Sequence, residues 1–593
     1  MVKGRYVGQT HWLHSAVLFP IAIYWLDQQE RKKSKCWQIM QDCKSIARFI
    51  KLQWSPQPLT GSCGRSLPMR TLADQLISNH LRTFETVYRV FHVPTFMDEY
   101  SRFWSDPNDA SDSTTIKIQL CLAIGASFHD HQFSLRTKAL QWIHEASSWL
   151  TMSENMWFSI SGLQIMCLIQ LARLNVKAFS GDQVWVSAGT FFRTAISMGL
   201  HLDPSILPKM SVFQAEMRRR LWTTIIELSL AASVEAGAPP QISCRDFNCQ
   251  SPSNLNDSQL NADANNIPIP AAPHLFTDTS LQICFGRSFS TRLAIADILN
   301  RPPSSPATYE EILKFSTELS LCCRSLADSL CSFGNAVSDF QRRLCEMLTQ
   351  RYFIILHLSY TPLASTEPLY YFSRKMCVET ALKLLYPTLQ ASLDGDPTLA
   401  SLHAAIDIGP KCEEFQRLMI CGSGPFRSIP FQCIMSIASE LLAVLQESRP
   451  EPSQFCTASA PPSSAIIRAS ASNSLRNLEL CLLLRAAVSW MESRILAGET
   501  NVKDYLFVNI LLAHAEALMG ALSPSEVMQR KAAEALPHAA AILRGMNGSE
   551  TNCETPVTEE YGQGDIHNLW TNECPELGYE DLLSMMGTIV EEF

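Results

Sequence analysis

The 593-residue chain has twenty cysteines but no CxxC pair among them. Cys322 and Cys323, or Cys244 and Cys249, lack metal-ligand spacing, and thiols scattered along so long a chain read as buried and free in a reducing compartment. Long hydrophobic runs are missing near the N-terminus. The most apolar stretch there, Ala16 to Leu26, is too short to cross a bilayer, and no small-residue cleavage site follows it. An intracellular, soluble protein is expected, with no membrane partner. Positive charge is also scarce: Lys and Arg number 48 against 57 Asp and Glu, a formal net charge of −9. A freestanding nucleic-acid binder needs a basic surplus to neutralise phosphates, so contact of this chain with DNA should be indirect or weak. Catalytic signatures are lacking too. There is no HExxH, no GxSxG and no GxGxxG opening a helix after a strand, and Gly422-Ser423-Gly424 is not followed by Gly-Lys-Ser/Thr. No catalytic residue, metal ligand or cofactor is assigned.

What is present is apolar content and helical periodicity. Hydrophobic residues make up 46% and charged residues 18%, enough to bury a large core. Alternating strand patterns are rare. Leu72, Leu76, Ile77, Leu81, Phe84 and Tyr88 repeat at helical spacing, with Pro94 expected to close that helix. Further helices are expected over 116–128, 135–150, 156–174, 182–200 and 213–236. Gly199 is placed at one helix end, and Gly237 and Pro239-Pro240 at another. Others follow over 340–360, 377–393, 433–446, 474–496 and 504–522.

Runs of Pro, Ser, Asn and Asp over 54–64, 248–273, 301–307 and 448–464 read as polar breaks. The expectation is an all-α fold, a large multi-helix array with long polar linkers and a disordered acidic tail. It divides into an N-terminal segment over 1–70 with a basic amphipathic stretch, a middle region over 71–260, a C-terminal helical region over 275–545 and the tail over 546–593. No fixed-period repeat is seen.

Three charged features call for a choice between readings. The Arg31, Lys32, Lys33, Lys35, Lys44, Arg48 and Lys51 cluster could target a nucleus or touch DNA. Interleaved Trp37, Ile39, Ile46, Phe49 and Ile50 favour an amphipathic helix with an exposed basic face. Arg218-Arg219-Arg220 could meet phosphate, but a solvated helix face with Glu216 and Glu227 as neighbours is the simpler expectation. His201 and Asp203 read as capping groups, since no nucleophile is placed near them. Beyond Arg544 the chain has no Lys or Arg, and Trp570, Leu577, Tyr579, Leu582 and Leu583 are interleaved with acids. Self-repulsion would keep such a segment open while its bulky side chains stay available to a partner.

Five strings occur in order along the middle of the chain. They are Phe91-His92-Val93-Pro94-Thr95-Phe96; Trp185 with Gly189, Arg193, Met198-Gly199-Leu200-His201 and Asp203-Pro204; Glu216-Met217-Arg218-Arg219-Arg220-Leu221-Trp222; Gly237-Ala238-Pro239-Pro240-Gln241-Ile242; and Asp246 with Pro252-Ser253-Asn254. From about Thr71 to Asp257 this resembles the middle homology region of fungal zinc-cluster transcription factors. Tyr6 to Trp12, Gly422 to Pro430, Gly498 to Leu506 and the Trp570 to Leu583 ending look like parts of one subgroup of that family. Thr223, Ser229 and Ala238 depart from the pattern, which often has Trp, Asp and Arg at those places.

The family's zinc module needs two close-spaced cysteine triplets. Only Cys36, Cys43 and Cys63 precede the helical region, so the module is expected to be absent from these residues. The resemblance implies a nuclear regulator of a pathway such as a secondary-metabolite gene cluster. It would act through a DNA-binding partner, as a homo- or heterodimer, or as a truncated form, with the tail recruiting transcription machinery. It points to Phe91, Pro94, Phe96, Trp185, Arg193, Gly199, His201, Arg219, Arg220, Trp222, Gly237 and Pro239 as structural or regulatory positions. Two alternatives stand beside it: an inhibitory subunit that blocks a complete regulator, and an all-helical enzyme of terpenoid-cyclase type. The second lacks the acidic helix motif that would hold magnesium and diphosphate, because Asp394-Gly395-Asp396 has the wrong spacing.

Overall fold

The computed structural model describes residues 7–56, 67–107, 109–176, 181–260, 268–302, 304–393, 411–447, 464–520 and 522–548. Among these the regular elements are helices, with no strand. The N-terminal part holds α1 (Pro20–Arg31) and α2 (Lys35–Gln53). The next group is α3 (Arg70–Arg82), α4 (Phe84–Tyr88), α5 (Val93–Ser105), α6 (Asp112–Ala126), α7 (Arg136–Met152), α8 (Ile160–Val176), α9 (Gly181–Ser197) and α10 (Val212–Ala236). Beyond a long loop come α11 (Ser280–Gly286), α12 (Phe289–Leu299), α13 (Tyr309–Ser332), α14 (Asp339–His357) and α15 (Tyr371–Leu393). The last five are α16 (Glu413–Cys421), α17 (Pro425–Glu447), α18 (Ser464–Leu496), α19 (Lys503–Met519) and α20 (Pro524–Gly548).

Local chemistry sets many of these boundaries. Ser34 and Ser111 accept hydrogen bonds from Trp37 N and Thr114 N at the starts of α2 and α6. Ser211 with Gln214, Thr308 with Glu311 and Ser338 with Gln341 form reciprocal capping boxes on α10, α13 and α14. The helix expected through residue 88 breaks at Thr83. Pro94 does not close it; it lies in the first turn of α5, where its missing N–H costs nothing. Gly199 and Gly237 do end helices, both in the left-handed region.

One continuous cluster of buried apolar side chains runs from Leu13 to Leu543. Helices α6 and α8 are apolar almost all round because both are buried on nearly every face. Close approach is built in at Gly125, where any Cβ would collide with the Leu76 carbonyl of α3. Asn79 of α3 donates to the Gly125 carbonyl at 3.1 Å across the same crossing. α17 is long and apolar enough by composition to cross a membrane, but 78% of its apolar window is packed inside the protein.

Two expectations need correction. In the polar run over 248–273 the described residues form only one short helical turn, Asp257–Gln259, yet they are firmly held. Asn254 Nδ2 donates to the carbonyls of Ala271, Ala272 and Leu275, and Thr279 Oγ1 donates to Ser253 O at 2.8 Å. Its polar side chains satisfy backbone groups instead of water. The Arg218-Arg219-Arg220 run is not a solvated face either, as described next. The proposed activation residues Trp570, Leu577, Tyr579, Leu582 and Leu583 lie outside the described residues.

Candidate functional site

Four of the five strings meet at an ionic node beneath α10. Arg220 is fully buried and donates from Nη1 to Asp257 Oδ1 at 2.6 Å. Arg89, at the end of α4, donates to the other Asp257 oxygen at 2.5 Å. The same carboxylate accepts Val93 N at 2.9 Å, and His92 Nε2 lies 2.9 Å from the Asp257 carbonyl. One acid in the polar loop thus ties α4, the start of α5 and α10 together. Burial alone would raise the Asp257 pKa, but Arg89 and Arg220 outweigh it and hold the carboxyl below its ordinary value. Arg89 has φ +37°, a left-handed conformation that costs a non-glycine residue on the order of 1 kcal/mol, and its ion pair holds it there.

Arg219 makes the second half of the node. Its Nε and Nη2 form a two-pronged pair with Asp203, each at 3.0 Å, and Nη1 reaches Glu216 at 2.7 Å. The bond to Arg219 is the main reason the Asp203 carboxyl sits far below its usual range. Asp203 also accepts Ser205 N and Gln250 N, which makes it a cap, as expected, and an ion-pair partner as well. Glu216 takes both the N–H and the hydroxyl of Ser253 at 2.9 Å. Arg218 turns the other way and caps α9 through Met198 O at 2.7 Å. The run is therefore inward-facing, because acids distant in sequence fold onto it. Glu227 serves another cation, the buried Arg292, at 2.6 Å.

Some of the remaining string positions pack around this node. Phe91 stacks on Phe96 with centroids 4.4 Å apart, while Pro94 is exposed. Trp222 lies against Phe192, His201 and Phe247. His201 also offers its carbonyl to Asn248 N and Cys249 N. Trp185 is half-buried, and Arg193 and Pro239 are exposed and take no part in the node. Gly189 leaves room for the Gln241 side chain, which would lie only 2.8 Å from an added Cβ.

An open cleft of about 510 Å³ lies over Arg219 and Glu216, walled by Leu207, Met210, Val212 and Leu255. Polar and apolar side chains share its lining.

A second junction unites four strings that lie far apart in the chain. Gly8 N donates to Gly237 O at 2.8 Å, and Gly237 at φ +61° would bring an added Cβ within 2.8 Å of His11. Thr10 donates to Val234 O at 3.0 Å, and Asn300 Nδ2 donates to Ala238 O at 3.0 Å. Trp12 meets Phe431 edge-on at 5.3 Å, with the Arg427 guanidinium 5.3 Å above its ring. Arg427 then pairs with Asp504 at 2.5 Å and Glu499 at 3.6 Å. Burial raises the Asp504 pKa. It would raise Glu499 as well, but Arg427, Arg494 and Arg136 reverse the direction there. Burial, with the charges of His14 and Arg427, pushes His11 down to about 3.

Sequence reasoning missed Asp257, Arg89 and Asn300, each of which closes a contact between distant segments. The available signal was indirect: a buried arginine needs an acid, and a polar run that supplies Asp, Asn and Ser is a source of one.

Comparison with known proteins places these strings. The fungal specific transcription factor domain matches residues 77–359. Transcription factor opdR of Penicillium oxalicum is 29% identical over 99% of this chain and 75% of its own length. Transcription factor lepE of Aspergillus flavus is 32% identical over 75% of this chain, and the aspyridones cluster regulator apdR of Emericella nidulans is 25% identical over 95%. The matched region spans about half of lepE and 70% of apdR. No solved structure matches significantly. With several of its motif strings gathered inside the matched segment, the chain carries a fungal specific transcription factor domain and is similar to proteins named as transcription factors.

Proposed function

We propose that this chain is a nuclear transcriptional regulator of a secondary-metabolite biosynthetic gene cluster. The observation that supports this most is similarity along nearly the whole chain to proteins named as transcription factors, one of them a cluster regulator. They are named for transcription, not for a reaction, which favours a binding protein over the cyclase alternative. In this reading the helical body is a regulatory platform. The ionic node fixes its shape, and the cleft over Arg219 takes a partner segment or a small effector. The chain reaches promoters through a DNA-binding partner or through a zinc cluster outside these 593 residues.

Deleting the gene and measuring transcripts of neighbouring biosynthetic genes tests the reading. Loss of those transcripts is expected, whereas a rise would favour the inhibitory-subunit alternative. The tail is tested separately by tethering residues 547–593 to a foreign DNA-binding domain. Activation is expected, and Ala at Trp570, Leu577, Tyr579, Leu582 and Leu583 should abolish it while every acid is kept.

A further inference from the structure

The cleft over Arg219 is built by three stretches that are separate in sequence: residues 204–210, the first turns of α10, and loop positions 253, 255, 268 and 270. Each contributes apolar lining. Leu207 and Met210 come from the first, Val212 and Ala215 from the second, and Leu255 and Pro270 from the third. Ile206 and Ile269 each stand between two lining residues in the chain and are 61% and 86% exposed. Apolar surface gathered around a concavity, with a few polar groups among it, is what a small-molecule site offers.

Five polar side chains are among the described lining, and they are not equivalent. Four are consumed within the protein. Arg219 gives all three of its donor nitrogens to Asp203 and Glu216. Glu216 also accepts the N–H and the hydroxyl of Ser253, and the Ser205 hydroxyl donates to Asp203. The node as a whole is balanced in charge, with Arg89, Arg219 and Arg220 against Asp203, Glu216 and Asp257. Lys209 stands outside that balance. It lines the cleft, it is exposed, and it has no hydrogen bond or ion pair among the described residues.

We propose that the cleft binds an apolar small molecule bearing one negative charge, an organic acid whose anion meets Lys209 while its body lies on the apolar lining. Its volume of about 510 Å³ falls in the range that holds a drug-sized ligand. An ion pair with so exposed a lysine adds little affinity, so the apolar contacts carry the binding and Lys209 selects the charge. The ligand touches the segment before α10, α10 itself and the 253–270 loop at once. Those are the stretches that the Arg219–Glu216–Ser253 bonds already join, so occupancy favours the closed node and stabilises it by mass action. The proposal chooses the small effector over the partner segment, and it rests on the regulatory reading above only for its consequence.

The test is photo-labelling of the purified full chain with para-benzoylbenzoate, its neutral amide and the cationic para-benzoylbenzylamine, read by mass spectrometry. The acid is expected to label Leu207, Met210 or Val212 severalfold more than the amide, and the amine least. Lys209→Ala should bring the acid down to the level of the amide, and Lys209→Glu should place the amine above the acid. Lys209 is exposed, so both variants should unfold at the denaturant concentration of the wild type. Equal labelling by acid and amine, label found only on other surfaces, or an unchanged order in Lys209→Glu would overturn the proposal. The transcript measurement separates this result from the reading it deepens. If the acid labels the cleft while gene deletion leaves neighbouring transcripts unchanged, the transcriptional reading fails and the site stands. If transcripts fall and no label reaches the cleft, the site fails and the transcriptional reading stands.

Discussion

Arg218-Arg219-Arg220 on α10 and the Lys44, Arg48, Lys51 stripe on α2 look alike in the sequence, for both are short basic groups on helices with apolar neighbours. Their fates are opposite. Arg220 is fully buried, Arg219 is mostly buried, and each holds an acid drawn from elsewhere in the fold, while Arg48 faces solvent. The difference does not come from the helices themselves. The α10 run meets Asp203, Glu216 and Asp257, two of them in loops, and those acids offset the cost of removing guanidinium groups from water. On α2 it is Arg48 that keeps its charge at the surface. A basic run is thus read by where the acids fold, more than by its own spacing.

The comparison is broken most severely at Asp257. Asp257→Ala leaves Arg89 and Arg220 facing each other in the interior with no shared carboxylate. Removing one partner of such a buried set costs about 3–5 kcal/mol. The expected outcome is a large drop in the denaturant midpoint and in soluble yield. Acid should narrow the gap between variant and wild type. The folded-state pKa of Asp257 is depressed, so its contribution is present above the unfolded carboxyl value of about 3.9 and is lost as pH falls through the lower folded value. Denaturation at pH 7 and near pH 3 checks the sign: the difference should be flat above pH 5 and shrink below pH 4.

A smaller break is expected at Arg219. Arg219→Lys keeps the charge but cannot reproduce the two-pronged contact with Asp203 while also reaching Glu216. A loss of about 1–2 kcal/mol is expected from the missing charge-assisted bonds. Arg193→Ala, at an exposed position of the neighbouring string, should change stability by no more than about 0.5 kcal/mol. If the two variants behave alike, the node does not distinguish inward from outward arginines.

The same contrast explains what the sequence made legible. Helix class and most helix positions followed from periodicity, Ser caps and the left-handed glycines Gly199 and Gly237, all local signals. The string residues were found as a family pattern, and Phe91, Phe96 and Trp222 do lie in the core. Asp257 could not be found that way. Its importance comes from Arg89, 168 positions earlier, and Arg220, 37 positions earlier, and no local rule links them. The Gly8–Gly237 contact and the Trp12–Arg427–Asp504 chain were invisible for the same reason, although their strings had been recognised separately. Pro94 was misread because one residue can stop a helix or start one, and the choice depends on the turn before it.

The smallest expected effect sharpens the comparison most. Arg48→Glu reverses a charge at a solvent-facing position of α2, where the ordinary consequence for folding is within about 0.5 kcal/mol. The buried residues Cys36, Met40, Cys43, Ala47 and Ile50 of α2 are untouched, so the denaturation curve should overlay that of the wild type. If stability falls by several kcal/mol instead, the α2 stripe is a structural ion-pair site like the α10 run, and the contrast between the two basic groups disappears.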